Sequence, residues 1–75
     1  PLRSRSTAFP SLPERELAVL ELLADGHTNR DIAARLHLGY KTVRNYVSAI
    51  FTKLDVGDRE AAGELARSAG LGSTR

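Results

Sequence analysis

Lys41, Arg44, Asn45, Ser48 and Thr52 fall at i, i+3, i+4, i+7 and i+11 of one segment. On a helix, at about 100° per residue, they occupy a single stripe roughly 100° wide. Side chains of these types can read DNA. Lys41 and Arg44 can donate to guanine O6 and N7, and Asn45 can pair bidentately with adenine N6 and N7. Ser48 is short enough to let the helix approach the base edges. Thr42, Tyr46 and Thr52 each bring a hydroxyl to a phosphate oxygen, and Lys53 is a phosphate neutraliser at the far end. Val43, Val47, Ile50 and Leu54 gather on the opposite side, where a core would lie.

A two-faced helix must be held against something, and the preceding residues supply the brace. Thr28 is an N-cap candidate with Asp31 three residues on, a capping-box variant. Ile32, Ala33 and Leu36 then face inward, and Ala33 and Ala34 are small enough for another helix to come close. His37-Leu38-Gly39-Tyr40 forms a turn in which Gly39 takes positive φ or caps the next helix, with Leu38 buried in the angle. The third helix runs from Tyr40 to Leu54. A short helix, a tight turn and a longer helix with a polar outer face make a helix-turn-helix, which puts its second helix in the major groove. Thr28, Asn29 and Arg30, where the shorter helix starts, can grip phosphate through free backbone N–H groups and the helix dipole.

The flanks complete an all-α chain of four helices. The first has Ser11 or Leu12 near its cap and Pro13 in its first turn. Glu14 and Glu16 complement the positive end of its dipole, Leu17, Leu20, Leu23 and Ala24 form the buried stripe, and Gly26 ends it. Asp55-Val56-Gly57-Asp58 breaks the third helix, and Asp58 caps a fourth from Arg59 to Ala69 that stops at Gly70. Gly63 inside it costs about 1 kcal/mol relative to Ala. Residues 1–11 read as a linker or flexible arm, within which Phe9 either tucks against the first helix or stays exposed. The closing GLGSTR is too short and polar to add structure, which leaves a domain at 12–71 and a flexible tail at 72–75.

Composition narrows the function classes. Seventy-five residues form one small domain, and 41% apolar with 27% charged residues is a globular balance. Without cysteine there is no disulfide framework or thiolate metal site, which fits a reducing compartment. His27 and His37 stand alone as ligand types, so neither a metal nor another cofactor is expected. No apolar run approaches about 18 residues and no signal peptide opens the chain, so a soluble protein without membrane contact is expected. The chain begins with Pro, which suggests a piece of a longer polypeptide. Glu14 and Glu16 sit near a helix terminus without a cleft partner, and neither histidine has a nucleophile at a recognisable spacing, so the chain is not expected to be an enzyme. The net charge of +2 is small, but Arg35, Lys41, Arg44 and Lys53 lie in a 35–54 segment that holds no acid. That segment is either the footprint of a polyanion or a solvated basic face. On this pattern alone a helical protein-interaction module remains open.

The strings LPERELAVLELLADGHTNRDIAARLHL and KTVRNYVSAIFTKLDVGDR resemble the LuxR/FixJ/NarL-type helix-turn-helix family, across about residues 12–71. The carrying motifs are L-x-x-R-E, then G-x-T-N-x-x-I-A, then K-T-V-R-N and K-L-x-V-x-x-R. Each is weak alone, and in this order they are distinctive. The resemblance implies the C-terminal DNA-binding domain of a bacterial transcription regulator, at the nucleoid in the cytoplasm, and double-stranded DNA as partner. It implies base contacts from Lys41, Arg44 and Asn45, with Ser48 in support, and backbone contacts from Thr42 and Tyr46. It implies dimer pairing through residues 59–69, here Gly63, Glu64 and Arg67, and an upstream regulatory domain, most often a phosphorylated receiver. It also admits RNA polymerase as a further partner. Three positions depart from the family pattern. Gly39 stands where Ser is usual and loses a side-chain cap bond, a difference of a few tenths of a kcal/mol. Tyr46 replaces a frequent His and changes a phosphate contact. Gly63 replaces a larger aliphatic residue, which would weaken the fourth helix and reshape the dimer surface. A sigma-factor region is the nearest DNA-binding alternative, against which the fourth helix argues. A protein-interaction module would more readily show exposed aromatic or aliphatic residues than this polar stripe.

Overall fold

A computed structural model describes Phe9 and residues 11–71, which contain four α-helices and no strand. These are α1 (Glu14–Ala24), α2 (Asn29–Leu36), α3 (Tyr40–Leu54) and α4 (Arg59–Ser68). Of the expected arm at 1–11, residues 1–8 and 10 lie outside the described residues, as does the expected tail at 72–75.

The starts of the helices follow their local chemistry. Thr28 and Asp31 form the full capping box: Thr28 Oγ1 accepts from the Asp31 N–H at 3.1 Å, and Asp31 Oδ2 accepts from the Thr28 N–H at 3.3 Å. Asp58 Oδ1 accepts from the Ala61 N–H at 2.8 Å and starts α4. Pro13 is the N-cap of α1 and so lies just outside its first turn; its carbonyl accepts from the Leu17 N–H. Gly39 caps α3 without a side-chain bond. Of its two expected roles it takes the cap, at φ −73°, and not the positive φ.

The left-handed residue of that turn is His37, at φ 57°. All four helices end alike. Gly26, His37, Asp55 and Gly70 take positive φ, and the N–H of the next residue reaches back to the carbonyl five positions earlier. These closing bonds run from His27 to Leu22, Leu38 to Ala33, Val56 to Phe51 and Leu71 to Ala66. Glycine serves at two of the ends. At the other two an apolar residue follows, and Leu38 and Val56 both pack on the core.

Leu20, Ile32, Ile50, Val19 and Val43 are the largest fully buried side chains, drawn from α1, α2 and α3. α4 adds Ala62 and Ala66, small residues that let it pack closely on α1, its most extensive neighbour. Two core residues come from segments not expected to add structure. Phe9 is 6% exposed and its carbonyl accepts from the Leu12 N–H, so the core reaches back into the expected linker. Leu71 is 5% exposed, so GLGSTR does contribute structure: the α4 cap delivers its second residue to the core. Ala34, expected to help a helix approach, is exposed. Among the described residues no helix is long and apolar enough to cross a membrane.

Candidate nucleic-acid interface

α3 has the two faces its periodicity demands. Val43 and Ile50 are fully buried and Val47 nearly so, while Lys41, Thr42, Arg44, Asn45, Ser48 and Thr52 are exposed. The side chains of Lys41, Arg44 and Asn45 make no hydrogen bond or ion pair among the described residues. Three donor-bearing side chains therefore project from one stripe with their hydrogen-bonding capacity unused.

The turn brings the start of α2 beside the start of α3. The Arg30 guanidinium lies 5.9 Å from the centroid of the Tyr40 ring, within cation–π range. Tyr40, 51% exposed, thus gives Arg30 a surface to rest on. The capping box satisfies the N–H groups of Thr28 and Asp31 and leaves those of Asn29 and Arg30 open. The Thr28 hydroxyl accepts from the Asp31 N–H within the box.

Other residues of the expected phosphate set are engaged within the chain. Thr52 Oγ1 donates to the Ser48 carbonyl at 3.1 Å, so in this rotamer it offers phosphate no proton. Lys53 Nζ pairs with Glu16 Oε1 at 3.0 Å. Asn29 Oδ1 accepts from Arg59 Nη1 at 2.7 Å. Tyr46 is half-buried, with its ring against the core.

The expected dimer residues divide. Glu64 is exposed, whereas Gly63 is buried, packed near Ala24 of α1. A Cβ at position 63 would lie 3.2 Å from Arg67 Nη1 and 3.8 Å from the Ala24 Cα. The missing side chain gives Arg67 room to cross to α1, where Nη1 donates to the Ala24 carbonyl at 2.8 Å. That bond satisfies a carbonyl in the last turn of α1 and sets a cation at the negative end of its dipole.

Sequence reasoning missed Glu16 and Arg59. Glu16 is 8% exposed. The signal was present, because Glu16 lies four and seven residues before Leu20 and Leu23, on the stripe facing the core, where an acid needs a cation. Arg59 joins the start of α4 to residues 30 and 32 positions earlier, and no local pattern announces such a link.

The family comparison then decides the class. The family model for bacterial regulatory proteins, luxR family, matches residues 10–66. The chain belongs to the luxR family. A luxR-family domain of this kind is a DNA-binding helix-turn-helix of a transcription regulator. Curated relatives include the response regulator protein VraR of Staphylococcus aureus, Staphylococcus saprophyticus and Staphylococcus epidermidis. Each is 41% identical over 61 residues, covering 81% of this chain and 29% of the relative. The luxR-family chain thus spans under a third of the length of the curated relatives it matches.

Proposed function

We propose that the domain reads double-stranded DNA with α3 in the major groove. Lys41, Arg44 and Asn45 contact base edges, and Ser48 permits close approach. Thr28, Asn29, Arg30, Thr42 and Tyr46 hold phosphates on either side. Two copies occupy half-sites about one helical turn apart. The domain is the output part of a two-component response regulator whose receiver lies upstream, acting at the nucleoid in the cytoplasm, with RNA polymerase a further partner. One observation carries this reading: the exposed, unengaged side chains of Lys41, Arg44 and Asn45 stand opposite the fully buried Val43 and Ile50. At about 1.5 Å per residue, the 15 residues of α3 span about 22 Å, enough to lie along the groove.

Selection of bound sequences from random duplexes tests the proposal and returns the half-site and its spacing. On the selected site Arg44→Ala or Asn45→Ala loses about 1–3 kcal/mol and relaxes base preference, whereas Thr42→Ala weakens all sequences alike. Affinity falls steeply with salt, since phosphate neutralisation releases counterions. Unchanged affinity and selectivity in Arg44→Ala removes α3's outer face as the reader. A flat salt response favours a protein-interaction role.

A further inference from the structure

Arg59 opens α4, 30 residues from Asn29 in sequence, yet its half-buried guanidinium reaches the start of α2. Nη1 donates to Asn29 Oδ1 and Nη2 to the His27 carbonyl, both at 2.7 Å. Guanidinium has donors and no acceptor, so the Asn29 atom facing it must be the amide oxygen. The amide is planar, which turns the Nδ2 group away from Arg59. Among the described residues nothing accepts from that group. Beside it lie the open backbone N–H groups of Asn29 and Arg30 and the Arg30 side chain on Tyr40.

We propose that Arg59 is a positioning residue for DNA binding: by holding the Asn29 oxygen, it aims the Asn29 N–H donors outward at a phosphate of the DNA backbone. The inference rests on the DNA-binding reading and adds to it a side-chain donor whose direction is set from α4. The second bond, to the His27 carbonyl, fixes the backbone just before the Thr28 cap. Arg59 therefore orients both the side chain and the helix start that carries it. A phosphate contact carries no base information, so the effect is the same on any duplex.

Binding of the domain to a mixed-sequence double-stranded DNA, read by fluorescence anisotropy against salt, tests this. Asn29→Asp keeps an oxygen for Arg59 and strengthens that contact to an ion pair, while replacing the N–H donors with negative charge. Its thermal midpoint is expected to hold or rise and its affinity to fall by roughly tenfold or more. An Asn29 that donates to no phosphate would show only the small, salt-screened effect of one added charge, and wild-type affinity in this variant overturns the proposal. Asn29→Ala and Arg59→Ala are each expected to lose several-fold affinity, with the double variant no weaker than the weaker single. Additive losses overturn the coupling. If Arg59→Ala fails to fold, the two Asn29 variants still decide. Wild type and Asn29→Asp together separate the two readings. If wild type binds the duplex and Asn29→Asp binds equally, the positioning role alone falls. If wild type binds no duplex, the DNA-binding reading falls and takes this one with it.

Discussion

Lys53 Nζ lies 3.0 Å from Glu16 Oε1, an ion pair that joins the last turn of α3 to the first turn of α1 across 37 residues of sequence. The acid's side chain is 10% exposed and the lysine's 37%, so one partner is sequestered and the other is reached by water. Lys53→Ala leaves the carboxylate without its cation. The expected loss is about 1–2 kcal/mol, between that of an exposed pair and a buried one. Replacing both residues with leucine recovers most of it, since no buried charge is then stranded. Urea unfolding of the wild type and the two variants checks this, and a double variant less stable than Lys53→Ala counts against it.

Acid unfolding should involve Asp31. The Thr28 backbone N–H donating to its carboxylate is the main reason its pKa lies below the ordinary 3.8, with the Thr28 hydroxyl and nearby His27 and Arg35 acting in the same direction. A depressed folded value means that the capping carboxylate contributes stability above the ordinary value. That contribution is lost as pH falls through the folded one. Asp31→Asn is therefore less stable than wild type at neutral pH, and the difference shrinks on acidification below about pH 4. A difference independent of pH would remove the capping carboxylate as its source.

His37 and Asp55 hold left-handed conformations, at φ 57° and 58°, that side chains with a Cβ adopt at a cost. Glycine at either position keeps the closing bond and removes that cost. His37→Gly and Asp55→Gly should each gain about 1 kcal/mol, or roughly 4–8 °C in Tm for a domain of this size. Asp55 also places an acid at the negative end of the α3 dipole, so its replacement gains on that count as well. A fall in Tm for both variants would show that their side chains do more than tolerate the bend.

Position 63 should respond to size with a change of sign. Alanine restores up to about 1 kcal/mol of helix propensity, and the nearest atom to its Cβ is the end of the exposed Arg67 side chain, which can move aside. Leucine drives into Arg67 and towards the Ala24 backbone, and should lose about 1–3 kcal/mol by overpacking. Thermal melts of the two variants measure this. Stabilisation by leucine would mean that α4 can pull back from α1.

Much of this architecture is legible in the residue order because helical periodicity is a local property. The stripe of Lys41, Arg44 and Asn45 and the opposing Val43, Val47 and Ile50 follow from spacing within one helix. The Thr28 and Asp58 caps follow from residue type and offset. What escaped is what the fold assembles from distant pieces. Arg59 on Asn29, Arg67 on the Ala24 carbonyl and Lys53 on Glu16 are each separated by 30 residues or more. The ends of α2 and α3 were legible, but their left-handed caps were not: glycine marks a left-handed residue, and His37 and Asp55 do not announce one. The Leu38 and Val56 that follow them were the available sign. Gly63 reads as a weakness of α4 from its residue type alone, and only the fold shows that its missing side chain also admits the Arg67 guanidinium.

Phe9 has a mechanical consequence. With 6% of its surface exposed and its carbonyl bonded to Leu12, it moors the incoming chain to the interior ahead of α1. Any pull or twist from a body attached upstream meets packed side chains before it meets the first helix. Between such a body and the outer face of α3 stands the core itself.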